Sequence, residues 1–187
     1  MALNPIKPAK GRLLLAEPSI HEHYFHRAVI LLADHNSAGS IGFTLNKPVD
    51  IQLSKLVEDL SNDSYSVHLG GPVSKDNLFF VHTLGAAIPE AIHIMPGLWW
   101  GGDFSVVRQM IEQNKIEQSQ IRFFIGYSGW ESGQLERELD ENAWVVAPTQ
   151  VNEIMNPNTH KMWENILRSM GKELALLSYF PEDPQLN

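Results

Sequence analysis

A serine between two glycines is the first feature that could carry chemistry. The segment GYSGW (residues 126–130) follows an apolar run and precedes a charged one, which predicts a strand, a turn at Ser128 and a helix. A hydrolase nucleophile elbow has this context but reads G-x-S-x-G. Here the second glycine comes one position early, Trp130 fills the place of a small residue, and His160 is the only histidine downstream. We therefore interpret the segment as an architectural corner that buries Trp130, its glycines supplying unusual backbone angles.

Two predicted helices start just after glycines, a position that attracts anions such as phosphate. Each start already has a carboxylate, Asp103 as the predicted N-cap of one helix and Glu131 at the start of the other. Neither turn has a P-loop lysine or the G-x-G-x-x-G pattern. We therefore expect no phosphate at these two turns.

Two polar residues share a face of the predicted helix 132–142. Gln134 and Glu138 stand at i, i+4 spacing, beside an apolar stripe of Leu135 and Leu139. If both side chains point inward, they can bind a polar ligand. The alternative is that they hydrogen-bond the backbone of the adjoining corner.

Three of the eight histidines lie close together at His21, His23 and His26. This spacing is compatible with a metal on a loop, but no acidic ligand has a fixed spacing to them, and Phe25 suggests a surface connection with an apolar anchor. We therefore expect no metal. The other histidines are scattered, and His35 belongs to the polar stretch 34–40, which reads either as a site at a strand end or as a hairpin turn using Asn36 and Gly39.

Composition narrows the classes of function. The chain of 187 residues has 43% hydrophobic residues and no cysteine, which fits one globular domain, residues 1–187, without disulfides or thiolate chemistry. The net charge is −8, with only 14 Lys and Arg and no basic run, so we expect no direct contact with nucleic acid. No apolar run approaches the ~20 residues of a membrane helix, and the N-terminus has no apolar signal region. These features predict a cytoplasmic protein without a membrane contact.

Periodicity predicts strands mixed with helices after an extended tail at residues 1–10. We expect a β-hairpin over residues 28–45 and helices over 53–60, after Asp103 and over 132–142. Region 150–180 should be helical, with breaks at Asn156-Pro157 and Gly171. The remaining predicted strands cover residues 12–16, 67–69, 78–82, 91–95, 121–127 and 144–147. This order favours an α+β fold with a mixed sheet that curls like a barrel.

Taken together, these segments resemble one protein family. In order, the chain contains GRLLLAEP, FHRAVILLADHNSAGSIGFTLNKP, HLGGPV, LFFVH, GLWWGGDF and RFFIGYSGWESGQLERELDENAWVV. This set is similar to the AlgH-like (YqgE-like) family of bacterial proteins, named for an alginate regulator, and it covers the chain from about Gly11 to the C-terminal helices. The family pattern G-W-x-x-G-Q-L-x-x-E-L is matched in full from Gly129 to Leu139.

The resemblance implies one compact α+β domain with a mixed, barrel-like sheet flanked by helices, and a role in transcriptional regulation. It implies no particular reaction, cofactor or catalytic residue. The motif positions that we expect to line a shared ligand site are His35, Asn36, Asn46, Gly70, Gly71, Trp130, Gln134 and Glu138.

Three hypotheses about function follow. The favoured one is a non-enzymatic protein that binds a small molecule or a partner protein. The second is a hydrolase or other enzyme, with His35 or His82 as base beside Ser128 or Glu138. The third is a nucleic-acid-associated regulator with a local basic face formed by Lys7, Lys10, Arg12, Lys161, Arg168 and Lys172. The sequence leaves open whether Asn36, Asn46, Trp130 and Gln134 face one pocket or each hold a corner of the backbone.

Overall fold

Most of the apolar runs become strands of one sheet. The computed structural model describes residues 6–61 and 64–180, so residues 1–5 of the predicted tail lie outside the described part. The strands are β1 Leu13–Ala16, β2 Val29–Asn36, β3 Gly39–Thr44, β4 Pro48–Val49, β5 Val67–Leu69, β6 Val73–His82, β7 Ile92–Met95, β8 Leu98–Trp100, β9 Ile121–Glu131 and β10 Trp144–Ala147. The helices are α1 Phe104–Glu112, α2 Gln134–Asp140, α3 Val151–Ile154, α4 Met162–Ser169 and α5 Lys172–Leu177.

The sheet is mixed, as the sequence predicts. Its strands follow the order β10-β1-β2-β3-β9-β6-β8-β7, with β4 and β5 branching off beside β9. Strand β5 pairs in parallel with β9, while the other pairs of described strands are antiparallel. Outer strands β10 and β7 do not pair with each other among the described residues. The α+β class is therefore confirmed, but the sheet stays open and does not close into a barrel.

Both faces of the sheet are covered near β1. Leu13 and Leu15 are buried in one apolar cluster with Trp163 of α4, while Leu14 is buried on the opposite face with Leu135 of α2. This alternation follows from the two-residue period of a strand. A third cluster packs α1, through Val107 and Ile111, against another part of the sheet. The continuous apolar run of β1 thus has partners on both sides.

Several predicted elements are confirmed with their boundaries nearly as expected. β2 and β3 form the hairpin within 28–45. Helix α1 begins after Asp103, whose carboxylate accepts a hydrogen bond from the Ser105 amide at 2.9 Å. Helices α3, α4 and α5 are separated by breaks that contain Asn156-Pro157 and Gly171. In each case the turn or capping residues and the apolar spacing predict the same element with the same boundaries.

The predicted helix over 53–60 is wrong. Only Leu53–Lys55 forms a short 3₁₀ turn, and Asp59 adopts a left-handed backbone conformation with φ 58°. Leu53, Val57 and Leu60 are nevertheless buried in one cluster, whereas Leu56, the fourth apolar residue of the segment, is exposed. A segment of this length has too few helical hydrogen bonds to be stable without tertiary support, and here packing selects a turn.

The predicted turn at Ser128 is also wrong. Strand β9 continues through the serine to Glu131, and Ser128 is fully buried within the strand. The chain turns later, at Gly133, where φ is 71°. The expected unusual glycine conformation occurs at Gly126, with φ 68°, inside the strand. Trp130 is buried, as predicted, but by pairing and packing of a strand rather than by a corner.

Candidate functional site

Three of the predicted site residues meet at one end of the sheet. Asn36, Trp130 and Gln134 line a cavity of about 630 Å³, which we name the motif cleft. The cleft lies where the β2–β3 hairpin, the end of β9 and the start of α2 come together. Its complete lining is Asp34, Asn36, Ala38, Gly39, Ser40, Ile41, Val73, Tyr127, Gly129, Trp130, Glu131 and Gln134.

The hairpin wall of the motif cleft is fixed by its own polar side chains. Asp34 accepts hydrogen bonds from the His35 amide and from the Asn36 side chain, both at 3.0 Å. Asn36 in turn accepts from the Ala38 amide at 2.8 Å, and it pairs with Gly39 across the turn. A Cβ at Gly39 would lie 2.3 Å from the Trp130 carbonyl oxygen, so only glycine lets β3 approach β9 here. The turn interpretation of Asn36 and Gly39 is therefore confirmed.

Gln134 and Glu138 hold the opposite wall. Gln134 accepts a hydrogen bond from the Glu131 amide at 3.0 Å and donates to Glu138 at 2.9 Å. Glu138 also accepts from the indole N–H groups of Trp130 at 2.8 Å and Trp144 at 2.7 Å. Gln134 thus satisfies the corner backbone and also lines the cleft, whereas Glu138 is not among the lining residues and positions Trp130. Binding of a polar ligand by this pair stays a prediction.

Gly70 and Gly71 serve backbone packing and are not among the lining residues of the motif cleft. Gly70 donates to the Ile125 carbonyl at 2.8 Å, and its own carbonyl accepts the Ser128 hydroxyl at 3.2 Å. A Cβ at Gly71 would lie 2.3 Å from the Tyr127 carbonyl carbon. Both glycines therefore let a second segment lie directly against β9, which supports the cleft from behind.

The predicted catalytic pairings are absent from the described residues. Buried Ser128 is hydrogen-bonded to Gly70, not to a histidine. His82 is also fully buried, between the Gly101 carbonyl and the Leu84 amide, and burial lowers its pKa. His35 instead contacts Ser40, with 2.8 Å between Nδ1 and Oγ. This pair belongs to the cross-strand register of the hairpin, which the sequence alone did not reveal.

The charged groups of the motif cleft are all acidic. Asp34 and Glu131 line it, and no Lys or Arg is among its lining residues in the described part of the chain. Tyr127, Ile41 and Val73 supply its apolar surface. A positively charged group is therefore the electrostatic complement of this cleft.

Asn46 lies in a different place, against a second cavity of about 620 Å³. We name this cavity the basic cleft; it is lined by His26, Arg27, Asn46, Lys47, Pro48, Pro157, Asn158, Thr159, His160, Lys161, Met162, Trp163 and Glu164. The Asn46 side chain accepts from the Val29 amide and donates to the Arg27 carbonyl, both at 2.8 Å. It thereby fixes the start of β2 against the chain that follows β3. Asn36, Trp130 and Gln134 therefore share one cavity, whereas Asn46 lines this separate one.

A buried arginine lies next to the chain segment that forms the basic cleft. Arg122 donates to the Leu45 carbonyl at 2.7 Å, to the Ile154 carbonyl and to His68 Nε2 at 2.8 Å. Burial lowers the pKa of Arg122 to about 10. Burial, and then the charge of Arg122, lower the pKa of His68 from 6.5 to about 3, so His68 is the neutral acceptor of the pair. The arginine ties the residue that follows β3 to β5 and α3, without a carboxylate among these partners.

The remaining histidines do not form a recognisable metal site. His21 and His26 stack with their ring centroids 5.9 Å apart, and His26 Nδ1 lies 3.0 Å from the Ile20 carbonyl oxygen. Over residues 6–61 and 64–180, no three His, Asp or Glu side chains form a group able to hold a metal ion. In the same part of the chain, no helix has both the length and the apolar character needed to cross a bilayer.

Comparisons with known proteins extend over nearly the whole chain. A family model described as AlgH-like matches residues 13–175. The UPF0301 protein of Cytophaga hutchinsonii is 40% identical over 179 residues, covering 95% of this chain and 98% of that protein. The UPF0301 protein of Bacteroides fragilis is 37% identical over 185 residues, covering 98% and 94%.

Two solved structures have the same fold. A crystal structure of a Corynebacterium diphtheriae protein matches with a TM-score of 0.77 and 23% identity, covering 94% of each chain. The solution structure of the AlgH protein from Pseudomonas aeruginosa matches with a TM-score of 0.73 and 25% identity, covering 94% of this chain and 98% of that one. Both clefts lie within residues 13–175, so both belong to the region that the family model matches.

Proposed function

Because the chain belongs to the AlgH-like family, we propose that it is a non-enzymatic binding protein whose motif cleft receives a positively charged segment of a partner protein. The observation that carries the proposal is the meeting of Asn36, Trp130 and Gln134 on one cavity whose charged groups are carboxylates only. Two of these three residues belong to the G-W-x-x-G-Q-L-x-x-E-L pattern. We place this activity in the cytoplasm and in a regulatory role that acts through a partner rather than through direct contact with DNA.

An extended segment fits the shape of the motif cleft. Strand β9 runs to Glu131, but the last residue that β6 pairs with along it is Tyr127, through Val73. Beyond that point Gly129 and Glu131 are exposed and line the cleft. Extended segments commonly bind along such strand ends, with alternate side chains in neighbouring recesses. The two carboxylates at the rim favour lysine or arginine in those side-chain positions.

A titration with defined peptides tests the proposal. The probe is an acetylated pentapeptide of alternating lysine and threonine, and the reference peptide has glutamate in place of lysine. Binding of each peptide is measured from the ¹H–¹⁵N NMR spectrum of the protein. We expect the basic peptide to shift amide signals of residues 36–41 and 127–131 selectively. Glu131→Gln should weaken binding ~3–10-fold because it removes one rim charge. The matched control Glu141→Gln changes an exposed glutamate outside the cleft.

Equal shifts with both peptides, or shifts confined to other surfaces, would refute a cationic occupant of the motif cleft. Equal weakening by Glu141→Gln would show that the peptide responds to the total charge of the protein. Either result would remove the basis of the proposed function.

A hydrolase remains the second candidate because Ser40 and His35 form a hydrogen-bonded pair next to the motif cleft. Such a pair is the core of a nucleophilic site. Two observations weigh against it: Ser40 is only 6% exposed, and the Glu136 carboxylate stands 3.9 Å from His35 Nε2, too far for an orienting hydrogen bond. The pair is equally explained as a cross-strand contact.

A screen of nitrophenyl esters distinguishes the two candidates. If the pair is catalytic, the wild-type protein should release nitrophenol above background, and Ser40→Ala and His35→Ala should each abolish the release. Activity that both variants retain would exclude this pair as the catalytic site. The peptide titration gives the independent measurement, because neither substitution changes the charge at the rim of the motif cleft.

A further inference from the structure

A third cavity, of about 540 Å³, lies beside the first turns of helix α1. Its walls come from residues 56–58, which follow the 3₁₀ turn, from one residue of strand β6 and from the start of α1. Among the described residues, it shares no lining residue with the motif cleft or the basic cleft. We name this cavity the α1 cleft; the described residues that line it are Leu56, Val57, Glu58, Leu78, Phe104, Ser105 and Arg108.

One wall of the α1 cleft is apolar and accessible. Leu56 is 40% exposed, although the adjacent Val57 is buried. Leu78 and Phe104 pack against the cluster that contains Val57, and each keeps part of its surface exposed. A concave surface of this size with apolar side chains is typical of sites for metabolite-sized ligands. The accessible apolar area therefore favours a ligand with an apolar body.

The same cavity presents one acid and one base. Glu58 and Arg108 both line it, and both are exposed. In the part of the chain that the structure describes, neither side chain takes part in a hydrogen bond or an ion pair. Ser105 is already engaged, because its amide and its hydroxyl donate to the Asp103 carboxylate at 2.9 and 2.6 Å. The charged groups that a ligand meets in this cleft are therefore one carboxylate and one guanidinium.

We propose that the α1 cleft binds a small apolar zwitterion, of which an apolar α-amino acid is the simplest case. The apolar side chain of the ligand contacts Leu56 and Phe104. Its carboxylate contacts Arg108, which binds carboxylates through two parallel hydrogen bonds, and its ammonium group contacts Glu58. A simple anion is attracted by the arginine but repelled by the glutamate, and the reverse holds for a simple cation. Only a zwitterion complements both charges.

The charges and the apolar wall contribute differently to binding. Because Glu58 and Arg108 are exposed, water and salt screen each contact that they make with the ligand. Burial of the apolar body of the ligand therefore supplies most of the affinity, and the two charges select among ligands of similar shape. The proposal predicts modest affinity with a marked preference for zwitterions. It does not depend on what occupies the motif cleft.

NMR titration of the full-length protein tests the site, with L-phenylalanine as the probe. Three analogues each lack one part of the probe: hydrocinnamate lacks the ammonium group, phenethylamine lacks the carboxylate, and L-serine lacks the apolar ring. We expect L-phenylalanine to shift the amide signals of residues 56–58 and 104–108 in a saturable way. Each analogue should bind at least about threefold more weakly, since one favourable contact is lost.

Two substitutions assign the charges. Arg108→Gln should raise the Kd of L-phenylalanine about threefold or more, and it should lower the Kd of phenethylamine because a repulsion is removed. Glu58→Gln should likewise raise the Kd of L-phenylalanine and lower that of hydrocinnamate. The controls Arg137→Gln and Glu141→Gln make the same changes at exposed residues outside the α1 cleft and should leave each Kd within about twofold. Unchanged thermal unfolding of all four variants would show that they remain folded.

Three results would overturn the proposal. One is the absence of saturable binding of L-phenylalanine, or shifts confined to other residues. Another is equal binding of hydrocinnamate or phenethylamine, which would make the ligand a simple apolar ion. The third is equal weakening by the control variants, which would indicate a response to the total charge of the protein. The basic peptide that tests the motif cleft is measured separately, so each proposal can fail without the other.

Discussion

The motif cleft and the basic cleft have nearly equal cavity volumes, about 630 and 620 Å³, but opposite charge. They also differ in how the chain builds them. Two short stretches, 34–41 and 127–134, supply all of the motif cleft except Val73. The basic cleft brings together residues as far apart as His26 and Glu164. A contiguous sequence motif can therefore identify the first cleft, whereas the charge of the second exists only after folding.

The clefts also differ in what their polar groups do. In the motif cleft, the amides of Asn36 and Gln134 are engaged with neighbouring backbone groups. Its rim offers a ligand carboxylates, apolar surface and a strand end. In the basic cleft, Asn46 and Asn158 have the same structural role, since Asn46 bonds the Val29 amide and the Arg27 carbonyl and Asn158 accepts from the His160 amide at 3.3 Å. The two clefts thus differ in how their walls are built despite their similar volumes.

The largest expected effect comes from removing the buried tryptophan of either cleft. Trp130 and Trp163 are 6% and 2% exposed. Truncation to alanine should lower the free energy of unfolding by ~3–5 kcal/mol in each case, since a large cavity is left. Urea denaturation measures both variants. A loss below 1 kcal/mol for either one would show that its cleft is not part of the cooperative core.

Acid should weaken the region of the basic cleft more than that of the motif cleft. His68 has a folded-state pKa of about 3 against 6.5 unperturbed. Between pH 6.5 and pH 3, His68 therefore binds a proton in the unfolded chain but not in the folded chain. The free energy of unfolding falls as the pH is lowered through this range. The slope is up to about 1.4 kcal/mol per pH unit, or ~2 kcal/mol between pH 6.5 and 5.

Denaturant unfolding of the wild type and of His68→Gln at pH 6.5 and pH 5 isolates the contribution of His68 to the free energy of unfolding. The other titrating groups are the same in both proteins, so their contributions cancel. The free energy of unfolding of the variant should depend less steeply on pH than that of the wild type. His68 pairs with Pro48, which lines the basic cleft. Amide exchange at Lys47 and Val49 should therefore rise before exchange at residues 39–41. Equal slopes in the wild type and the variant would contradict the lowered pKa of His68.

Truncation of one amide side chain in each cleft, Asn46 in the basic cleft and Gln134 in the motif cleft, allows a matched comparison of their stabilities. Asn46→Ala leaves the Val29 amide and the Arg27 carbonyl without their partner, and it should cost ~1–3 kcal/mol. Gln134→Ala frees one backbone amide, that of exposed Glu131, which water can satisfy, so we expect a cost below ~1 kcal/mol. Thermal and urea unfolding provide the values. A larger cost for Gln134→Ala would reverse the assignment of Asn46 as the stronger clamp.

The smallest stability effect is expected for the charge of the basic cleft itself. Lys161 is exposed, and Lys161→Asn should change the free energy of unfolding by no more than ~0.5 kcal/mol. A stability loss above 2 kcal/mol would instead make Lys161 a structural residue.

The sequence predicts much of the fold because local and tertiary signals agree there. The hairpin of β2 and β3 has apolar runs on both sides of turn residues, and α1 has both a cap and an apolar stripe. The segments that were predicted wrongly are those in which packing decides between local options. Residues 53–60 bury their apolar side chains without forming a helix, and Ser128 remains in a strand despite two flanking glycines.

The candidate sites were predictable to different degrees. Trp130 and Gln134 come from one motif, and their placement on a common cleft was expected. Ser40 was missed because its contact with His35 depends on the cross-strand register, which shifts at a bulge between Leu32 and Asp34. The basic cleft was missed because Arg27 and Lys47 are single cations in an acidic chain, and because the sequence grouped Lys161 with other lysines and arginines that do not line this cleft. No feature of a linear sequence indicates that isolated charges will face one cavity.

Strand β9 has a consequence for synthesis of the protein on the ribosome. It pairs with β3, β5 and β6, all of which are translated before it. Until residue 131 has emerged, β3 and β6 each lack a neighbour on one side, and exposed strand edges promote association with other chains. Fragments that end before Ile121 should therefore aggregate, and the nascent chain is expected to need protection by chaperones until β9 arrives.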